Sequence, residues 1–370
     1  MRAWYQVLSA TVACTVAASV VSCGGGGSGA MVSGNSASGY VATNLVSNTN
    51  TSTNPYASAN VDPKLVNAWG LAFNPHAFAW VADNGTSMST LYDGNGVPQS
   101  LVVAIPPGSA GSADPTGIVF NGAMAFNVSQ GGVSGPSAFI FVGEAGTVSG
   151  WSPGVNPNSA ILAVDGGAQG KVYKGLAISS VAGAPRIYAA DFHNGAVDVF
   201  DTNFAPVVVA GAFTDANLPA GYAPFGIQAI GNQIFVAFAM RDPQSNDELA
   251  GAGLGAVDIF DPSGNLVTRL VAPGGKLNAP WGMALAPADF GPLSNALLVG
   301  NFGDGTINAF DPTSGASLGP LTQAGMPIAI DGLWGLAFGN GLNAQPTNTL
   351  FYTAGPAQER NGVYGRIDFH

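Results

Sequence analysis

One of the three histidines, His193, lies two residues after a carboxylate in the stretch DFHNG, whose first residue is Asp191. A histidine beside a carboxylate can serve as a general base, since its pKa lies near neutral pH and the carboxylate orients the ring. An exposed loop histidine is the alternative interpretation. The sequence has no Gly-x-Ser-x-Gly elbow, no Gly-Lys-Ser/Thr phosphate loop and no His-Glu-x-x-His motif. His193 and Asp191 are therefore the catalytic candidates.

Other polar side chains recur at two kinds of position. One set precedes a glycine that opens an apolar run, and it comprises Asn67, Asp114, Lys171, Lys174, Tyr222, Asn278 and Asp331. The other set follows a second apolar run, and it comprises Asp83, Asn84, Glu144, Asp191, His193, Arg241, Asp242, Asn301, Asp304, Glu359 and Arg360. Converging oxygen ligands suit a hard cation such as Ca²⁺. The alternative is that these residues cap loops and face water.

The glycines that open these runs mark a repeat, and we call them the anchor glycines. They are Gly70, Gly117, Gly175, Gly226, Gly282 and Gly335, spaced 47 to 58 residues apart. A second apolar run follows each anchor. In five repeats a third run ends in aspartate, at Asp93, Asp201, Asp261, Asp311 and Asp368. An aspartate at a strand end caps its own turn, so we exclude these five from the site.

Short apolar runs separated by Gly, Asp and Pro turns, four to a repeat, predict the blades of a β-propeller. The last repeat stops after its third run, whereas an extra strand-like run, YVATNLV at 40–46, precedes the first anchor. Pairing that run with the last blade would close the ring and cover both sheet edges. We therefore predict an all-β, six-bladed propeller of four-stranded blades over residues 40–370, closed by an N-terminal strand. A β-helix or a sandwich would not explain the displaced strand.

The Trp-Gly-Leu-Ala-Phe style of the anchors and the Phe-Asp strand ends resemble six-bladed propellers of the NHL-repeat and gluconolactonase-like type. More narrowly, the chain is similar to an uncharacterised bacterial family of exported single-domain propellers. The resemblance covers about residues 40–370 and implies a fold rather than a reaction. Gluconolactonase-like and paraoxonase-like enzymes hold Ca²⁺ at the channel, and the resemblance makes Asn67, Asp114, Asn278 and Asp331 the first metal candidates. Two of these precede their anchor by three residues and two by four, which argues against a shared coordinating role.

In a propeller, the loops that enter the inner strands and the loops that join second to third strands share one face, which we call the channel face. We expect its binding residues to be Trp69, Glu144, Lys174, Arg241, Trp281, Asn301 and Trp334. The tryptophans directly precede anchor glycines, so the rings either fill wedges between adjacent blades or stack on a ligand. The longest loop on this face, residues 240–255, could act as a lid.

The N-terminal sequence has the features of a sorting signal. Met1-Arg2 is followed by an apolar segment and then by VVSC, which resembles the bacterial lipoprotein lipobox. We expect a signal peptide at 1–22, lipid on Cys23 and a Gly/Ser-rich tether at 23–39. The protein would then be an exported periplasmic, outer-membrane or cell-surface lipoprotein, touching the membrane only through Cys23. An ordinary secretory signal with a chance cysteine is the alternative.

A net charge of −11 with only 10 Lys and Arg residues argues against nucleic acid as a partner. Two functions remain. The first is a monomeric propeller that binds an unknown protein partner or small ligand at its channel face, without catalysis. The second is a Ca²⁺-dependent hydrolase of the lactonase or gluconolactonase-like kind, with the metal at the central channel. Ca²⁺ is the one cofactor that the sequence suggests.

Overall fold

Six small antiparallel sheets surround a central channel in the computed structural model, which describes residues 39–50 and 55–370. The described residues form 28 strands and three short 3-10 helices, at Asn84–Thr86, Gly167–Gln169 and Gly291–Leu293. This arrangement confirms the predicted all-β, six-bladed propeller. Within the described ranges, no helix has the length and hydrophobicity needed to span a bilayer. The predicted signal peptide and Cys23 lie outside the described residues, as does the tether up to residue 38.

Blades 1 to 5 are meanders whose strands follow the sequence from the channel outward, and the first three strands of blade 6 do the same. Blade 1 comprises Ala68–Phe73, Ala79–Asp83, Met88–Tyr92 and Val103–Ala104; blade 2 comprises Pro115–Phe120, Phe139–Gly143, Thr147–Trp151 and Ile161–Asp165; blade 3 comprises Tyr173–Val181, Ala184–Asp191 and Ala196–Phe200. Blade 4 comprises Tyr222–Ile230, Gln233–Met240, Gly255–Phe260 and Leu266–Val271; blade 5 comprises Pro280–Leu285, Leu297–Asn301, Ile307–Phe310 and Ser317–Pro320; blade 6 comprises Leu333–Phe338, Leu350–Ala354 and Val363–Phe369.

The fourth strand of blade 6 is Tyr40–Ser47, which pairs antiparallel with Val363–Phe369 from Tyr40↔Phe369 to Ser47↔Val363. Two backbone hydrogen bonds of 3.0 Å between Gly39 and His370 continue this pairing. The predicted closure by an N-terminal strand is thus confirmed. A short strand, Asn60–Val61, adds in parallel outside it. Two hairpins lie outside the blades, Asn127–Gln130 with Val133–Pro136 and Thr322–Gln323 with Met326–Pro327.

Blade 3 departs from the expected four strands. The run PVVVAG at 206–211 makes one bridge, Phe200↔Pro206, and one bond from the Val207 N–H to the Val199 carbonyl before it leaves the sheet. The reason lies in Phe213, which is buried between two rings, 5.3 Å from Phe260 of the next blade and 5.6 Å from Tyr188 of its own blade. Burying this ring draws the chain away from the blade edge, so tertiary packing overrides the strand propensity of three valines.

The six anchor glycines let successive inner strands approach closely around the whole ring. A Cβ on Gly282 would collide with the Trp334 carbonyl oxygen of the next blade, and one on Gly335 would lie 2.7 Å from the Trp69 carbonyl oxygen of blade 1. The same clash with the following blade occurs at Gly70, Gly117, Gly175 and Gly226. The anchors therefore form a narrow waist around the channel, where no side chain fits.

Four of the five strand-end aspartates cap turns as expected, since Asp93, Asp201, Asp261 and Asp311 each accept bonds from backbone N–H groups two to four residues later. The fifth prediction was wrong. Asp368 lies inside the strand Val363–Phe369 and pairs with Arg366 at 2.5 Å. It follows that the third strand of blade 6 continues past the position where the others turn.

Candidate functional site: the channel face

Buried aromatic rings close the channel at the channel face. The residue before the anchor glycine is Trp69, Phe225, Trp281 or Trp334 in four blades, and each is at most 9% exposed. Trp334 stacks on Trp69 at 3.7 Å between ring centroids, and Trp281 contacts Trp69 edge-on at 5.9 Å. Blades 1 and 5 are not neighbours, so these rings meet across the axis. The rings therefore pack between adjacent blades, as Trp334 does on Trp69 and Trp281, and also across the axis. Their burial keeps them from a ligand in solvent.

In blade 3 the equivalent position is Lys174, whose side chain is 2% exposed and reaches the same cluster. Its Nζ lies 2.5 Å from Glu144 Oε1 and 5.1 Å from the centroid of the Trp69 ring. Its carbonyl oxygen accepts a 2.8 Å bond from Trp281 Nε1 of blade 5. A buried ammonium requires a counter-charge, and Glu144 of blade 2 supplies it.

Three carboxylates share this one ammonium. Besides Glu144, Asp247 Oδ1 lies 4.0 Å from Lys174 Nζ. Burial disfavours the charged amine, but Glu144, Glu248 and Asp247 outweigh it and raise the pKa of Lys174. Burial likewise opposes ionisation of Glu144, and the Lys174 charge overcomes this and lowers the pKa of that carboxyl. For the half-buried Glu248, burial dominates and raises the pKa to about 7, with Glu359 and Asp247 adding to the rise.

The loop that carries Asp247 and Glu248 folds over the channel mouth as an irregular hairpin. Arg241 pairs with Glu248 in a β-bridge, and the Asp242 N–H donates to the Asp247 carbonyl at 2.9 Å. Beyond the hairpin, the Gly251 N–H donates to Asn278 Oδ1 at 2.6 Å, which attaches the segment to blade 5. This geometry places the predicted lid above Lys174. We call residues 241–251 the lid hairpin.

Asn67 joins the aromatic and polar layers. Its Oδ1 accepts both the Trp69 and the Trp334 indole N–H, at 3.0 and 3.1 Å. Its Nδ2 donates to Asn84 Oδ1 at 3.0 Å, and Asn84 in turn donates to Glu144 Oε2 at 3.0 Å. Both polar atoms of the Asn67 side chain are thus engaged in holding the buried aromatic rings beneath Lys174 and its carboxylates, which is a structural role.

Backbone geometry explains the residue types of two metal candidates, Asn67 and Asp114. The position three residues before the anchor adopts a left-handed conformation in four blades, at Asn67 (φ 48°), Asp114 (φ 42°), Ala279 (φ 45°) and Gly332 (φ 65°). Asparagine, aspartate and glycine tolerate this region better than other residues. Asn278 and Asp331 lie one residue earlier, which accounts for the two offsets from the anchor glycines.

The four candidates have separate sets of partners. Asp114 accepts a bond from Ser112 Oγ at 2.8 Å, and burial raises its pKa. Asn278 donates to Asp304 at 3.1 Å, and Asp331 accepts bonds from Tyr56 and from the Ala357 N–H at 2.6 and 2.9 Å. Across residues 39–50 and 55–370, no three His, Cys, Asp or Glu side chains form a group suited to a metal ion. The four residues thus take part in separate hydrogen-bond networks, and their binding of Ca²⁺ stays a prediction.

The catalytic candidates do not form a pair. Asp191 is fully buried; it accepts the Val172 N–H and a bond from Asn194, and it lies 3.0 Å from Lys171 Nζ. His193 is exposed, and its Nδ1 lies 2.6 Å from Asn246 Oδ1 of the lid hairpin. Asn301 fills the same structural position as Asp191, since it is buried and accepts the Asn278 N–H at 3.0 Å. Both residues join a second strand to the loop that enters the inner strand.

A pocket of about 330 Å³ opens beside the lid hairpin, between blades 3 and 4. Its lining includes His193, Arg241, Asp242, Ser245 and Asn246. The guanidinium of Arg241 donates to the His193 carbonyl oxygen, which joins the lid to blade 3. Sequence reasoning placed Arg241 on this face correctly but gave no role to Glu248, because the DEL stretch at 247–249 carries no sign of which side chain turns inward.

No family model matches the chain. Among solved structures, a catalytically inactive virginiamycin B lyase from Staphylococcus aureus, with quinupristin, aligns with a TM-score of 0.50 and 11% identity, covering 90% of this chain and 99% of that one. A glucose dehydrogenase aligns with a TM-score of 0.50 and 12% identity, covering 88% and 98%. At such low identity the likeness shows the propeller fold alone.

Sequence relatives come from Acanthamoeba polyphaga mimivirus. "Uncharacterized protein R648" is 35% identical over 320 residues, which covers 84% of this chain and 76% of that protein. "Uncharacterized protein L690" is 34% identical over 334 residues, which covers 87% and 84%. These relatives are viral and do not support the bacterial origin that the resemblance implied. The identity and coverage show that the chain belongs to the same protein family as R648 and L690.

Proposed function

We propose that the protein is a binding propeller whose channel face takes a positively charged organic ligand, an amine or a guanidinium, without chemical conversion. The observation that carries the proposal is the charge balance beneath the lid hairpin, where one buried ammonium serves the carboxylates of Glu144, Asp247 and Glu248. Glu144 neutralises Lys174 at 2.5 Å, so Asp247 and, above its pKa of about 7, Glu248 add negative charge, which the Arg241 guanidinium on the same hairpin offsets in part.

The position of these acids suits an incoming cation. The Asp247 side chain is 74% exposed at the tip of the lid hairpin, whereas Glu248 is half-buried beside it. The pKa of Glu248, at about 7, reflects burial and like-charge neighbours that a ligand cation would offset. The pocket of about 330 Å³ beside the hairpin adds the Asp242 carboxylate as a further acceptor. Asn246 Oδ1 is held by His193, and the Arg241 guanidinium of the same pocket is directed to the His193 carbonyl oxygen. Polar groups of this kind fix the orientation of a small ligand.

Calorimetric titration of the full chain with spermidine tests this function, with triethylene glycol as the neutral probe of similar length. We expect spermidine to bind and the glycol not to bind. Asp247→Asn and Glu248→Gln should each weaken spermidine about fivefold, the effect of one partly exposed charge pair of about 1 kcal/mol. Affinity should also fall as NaCl rises from 50 to 500 mM, because salt screens exposed charges.

Asp289→Asn is the matched control, since Asp289 is exposed in the loop between the first two strands of blade 5, away from the channel face. Equal losses in Asp289→Asn and Asp247→Asn would contradict the proposal, as would comparable binding of the glycol. Titration with Ca²⁺ distinguishes a metal-dependent enzyme from a propeller that binds organic cations. Tight Ca²⁺ binding and a drop in Tm with EDTA would instead favour the Ca²⁺-dependent hydrolase, whose test is turnover of lactone and ester substrates.

Proton-transfer catalysis at the same face is a second candidate, favoured by Glu248 alone. A carboxyl with a pKa of about 7 can donate and accept protons at neutral pH. Lys174 does not suit the role of a neutral amine nucleophile, because its pKa is raised. Loss of lactone or ester turnover in Glu248→Gln, in a variant that still binds spermidine, would support this candidate. Full activity in that variant would contradict it.

We also propose that the chain is exported and anchored through a lipid on Cys23, as its VVSC sequence favours. Expression in a bacterial host with labelled palmitate provides the test. Label in the full chain and its loss in Cys23→Ser are the expected results, and unlabelled full-length protein would contradict the anchor.

A further inference from the structure

At its far end, opposite the channel face, the channel widens into a funnel that the proposed function does not use. Its cavity measures about 430 Å³ and is lined by residues just after the anchor glycines of all six blades. Representative lining residues are Leu71, Ile118, Leu176, Gln228, Met283 and Leu336. We propose that this funnel binds one small, neutral molecule that combines apolar surface with a hydrogen-bonding group.

The lining carries no charge. Of the side chains around the cavity, Gln228 alone is polar, and the remainder are aliphatic, aromatic or alanine. Several of these apolar side chains, such as Leu176, Met283 and Leu336, are buried in the cores between blades, so backbone polar groups of the inner strands and the Gln228 amide form about half of the exposed wall. An ion entering such a site would lose its hydration without gaining a counter-charge, which costs several kcal/mol. An apolar molecule instead gains about 25 cal/mol for each Å² that it removes from water. The exposed Gln228 amide can bind one polar group of the ligand at the rim.

The funnel is closed at its inner end. Above it, the waist formed by the anchor glycines leaves a space of only about 30 Å³, with Trp281 among the residues around it. A molecule entering from the far face is therefore enclosed on all sides but one. Apolar cavities of about 150 Å³ hold molecules the size of benzene, so about 430 Å³ suits a compact ligand with two fused rings.

The shape of the funnel favours a small molecule over a protein partner. Its wall is a closed ring of six short strands, and the side chains at the rim, such as Phe73, Phe338 and Ile178, are half-buried. Leu285, at 43% exposure, is the large apolar side chain of the lining that reaches furthest into solvent. A protein interface would require a broad apolar patch around the opening, whereas here the apolar surface lies inside the ring.

The test measures the fluorescence of N-phenyl-1-naphthylamine, a neutral naphthalene derivative, on titration with the full chain. We expect a blue-shifted, enhanced emission that saturates at one probe per chain. Gln228→Glu places a charge at the funnel with little change in size, and it should weaken the probe at least tenfold. Gln228→Leu should keep or improve the affinity. Spermidine should not displace the probe, which separates this site from the channel face.

Gln244→Glu is the matched control, because Gln244 is exposed on the lid hairpin at the opposite face. The proposal is overturned if the probe does not bind, or if Gln228→Glu and Gln244→Glu bind it equally. Sedimentation velocity tests whether a second copy of the chain occupies the funnel instead. A dimer that Gln228→Glu dissociates would show that a second copy covers the funnel, and the small-molecule proposal would then be wrong. Thermal melts of all three variants confirm that they fold.

Discussion

The two ends of the central channel are built from the same six inner strands, yet they differ in nearly every property. At the channel face, the residues before the anchor glycines form an aromatic plug topped by Lys174 and its carboxylates. At the far face, the residues after the same glycines form an open funnel without charged side chains. The difference shows that the waist divides the channel, because it lets each inner strand present one chemistry before the glycine and another after it.

Lys174→Met should produce the largest effect, and only at the channel face. The change removes the counter-charge of Glu144 and leaves the Asn84 amide as the remaining hydrogen-bond donor to this carboxylate. Because the Glu144 side chain keeps 28% exposure, the cost lies at the low end of that for a broken buried ion pair, about 3 kcal/mol. Urea unfolding measures the loss, with Lys276→Met as the control, because Lys276 is exposed on the same side and should show little change. A stability near that of the parent chain would mean that water reaches Glu144 freely.

Gly282→Ala should weaken both ends, because the waist is common to them. Its Cβ would collide with the Trp334 carbonyl oxygen, so the inner strands must separate, at a cost of about 1–3 kcal/mol. Both spermidine and naphthylamine affinities should fall. Gly154→Ala, where a Cβ has open space, is the control. If Gly282→Ala matched it in stability, close strand approach would not define the waist.

Trp281→Phe should be milder and confined to the plug. The variant loses the bond from Trp281 Nε1 to the Lys174 carbonyl oxygen and leaves that buried acceptor without its donor, which costs about 1–2 kcal/mol. Naphthylamine affinity should change less than twofold. A larger fall in naphthylamine affinity would show that the aromatic plug also shapes the funnel.

The smallest expected effect is a change of ligand affinity with pH, which should occur at the channel face and not at the funnel. With its pKa raised to about 7, Glu248 is protonated below that pH and ionised above it. Spermidine affinity should therefore rise a few-fold from pH 6 to pH 8, whereas naphthylamine affinity should stay constant because no titratable side chain lines the funnel. Glu248→Gln should remove the rise. A rise that persists in this variant would assign it to another group.

The same pKa has a consequence for stability. A carboxyl whose pKa is higher in the folded state than in the unfolded state stabilises the fold at pH values below its ordinary range, and this contribution is lost as pH rises through about 7. Glu248→Gln should accordingly raise Tm relative to the parent chain at pH 8 but not at pH 5, as measured by calorimetry.

Features that recur in every repeat were predictable from the sequence, whereas features that depend on a single contact between distant parts of the chain were not. The anchor glycines and the displaced strand at residue 40 predicted the ring and its closure, because close packing at an axis imposes the same residue on every blade. The four runs expected in each repeat do not give a fourth strand in blade 3, because Phe213 is buried between that blade and the next. The direction of the tryptophans and the inward turn of Glu248 likewise depend on neighbours far away in the sequence.

Gly39 and His370 exchange two backbone hydrogen bonds at the edge of blade 6, where the ring closes. A pulling force applied at these two residues would therefore load the rungs between Tyr40–Ser47 and Val363–Phe369 one after another, as in a zipper, rather than all at once. Under tension the ring should open at blade 6 while the other blades stay folded. A peptide linker joining the two residues, with new chain ends cut into a loop elsewhere, would move that mechanical weak point to another blade.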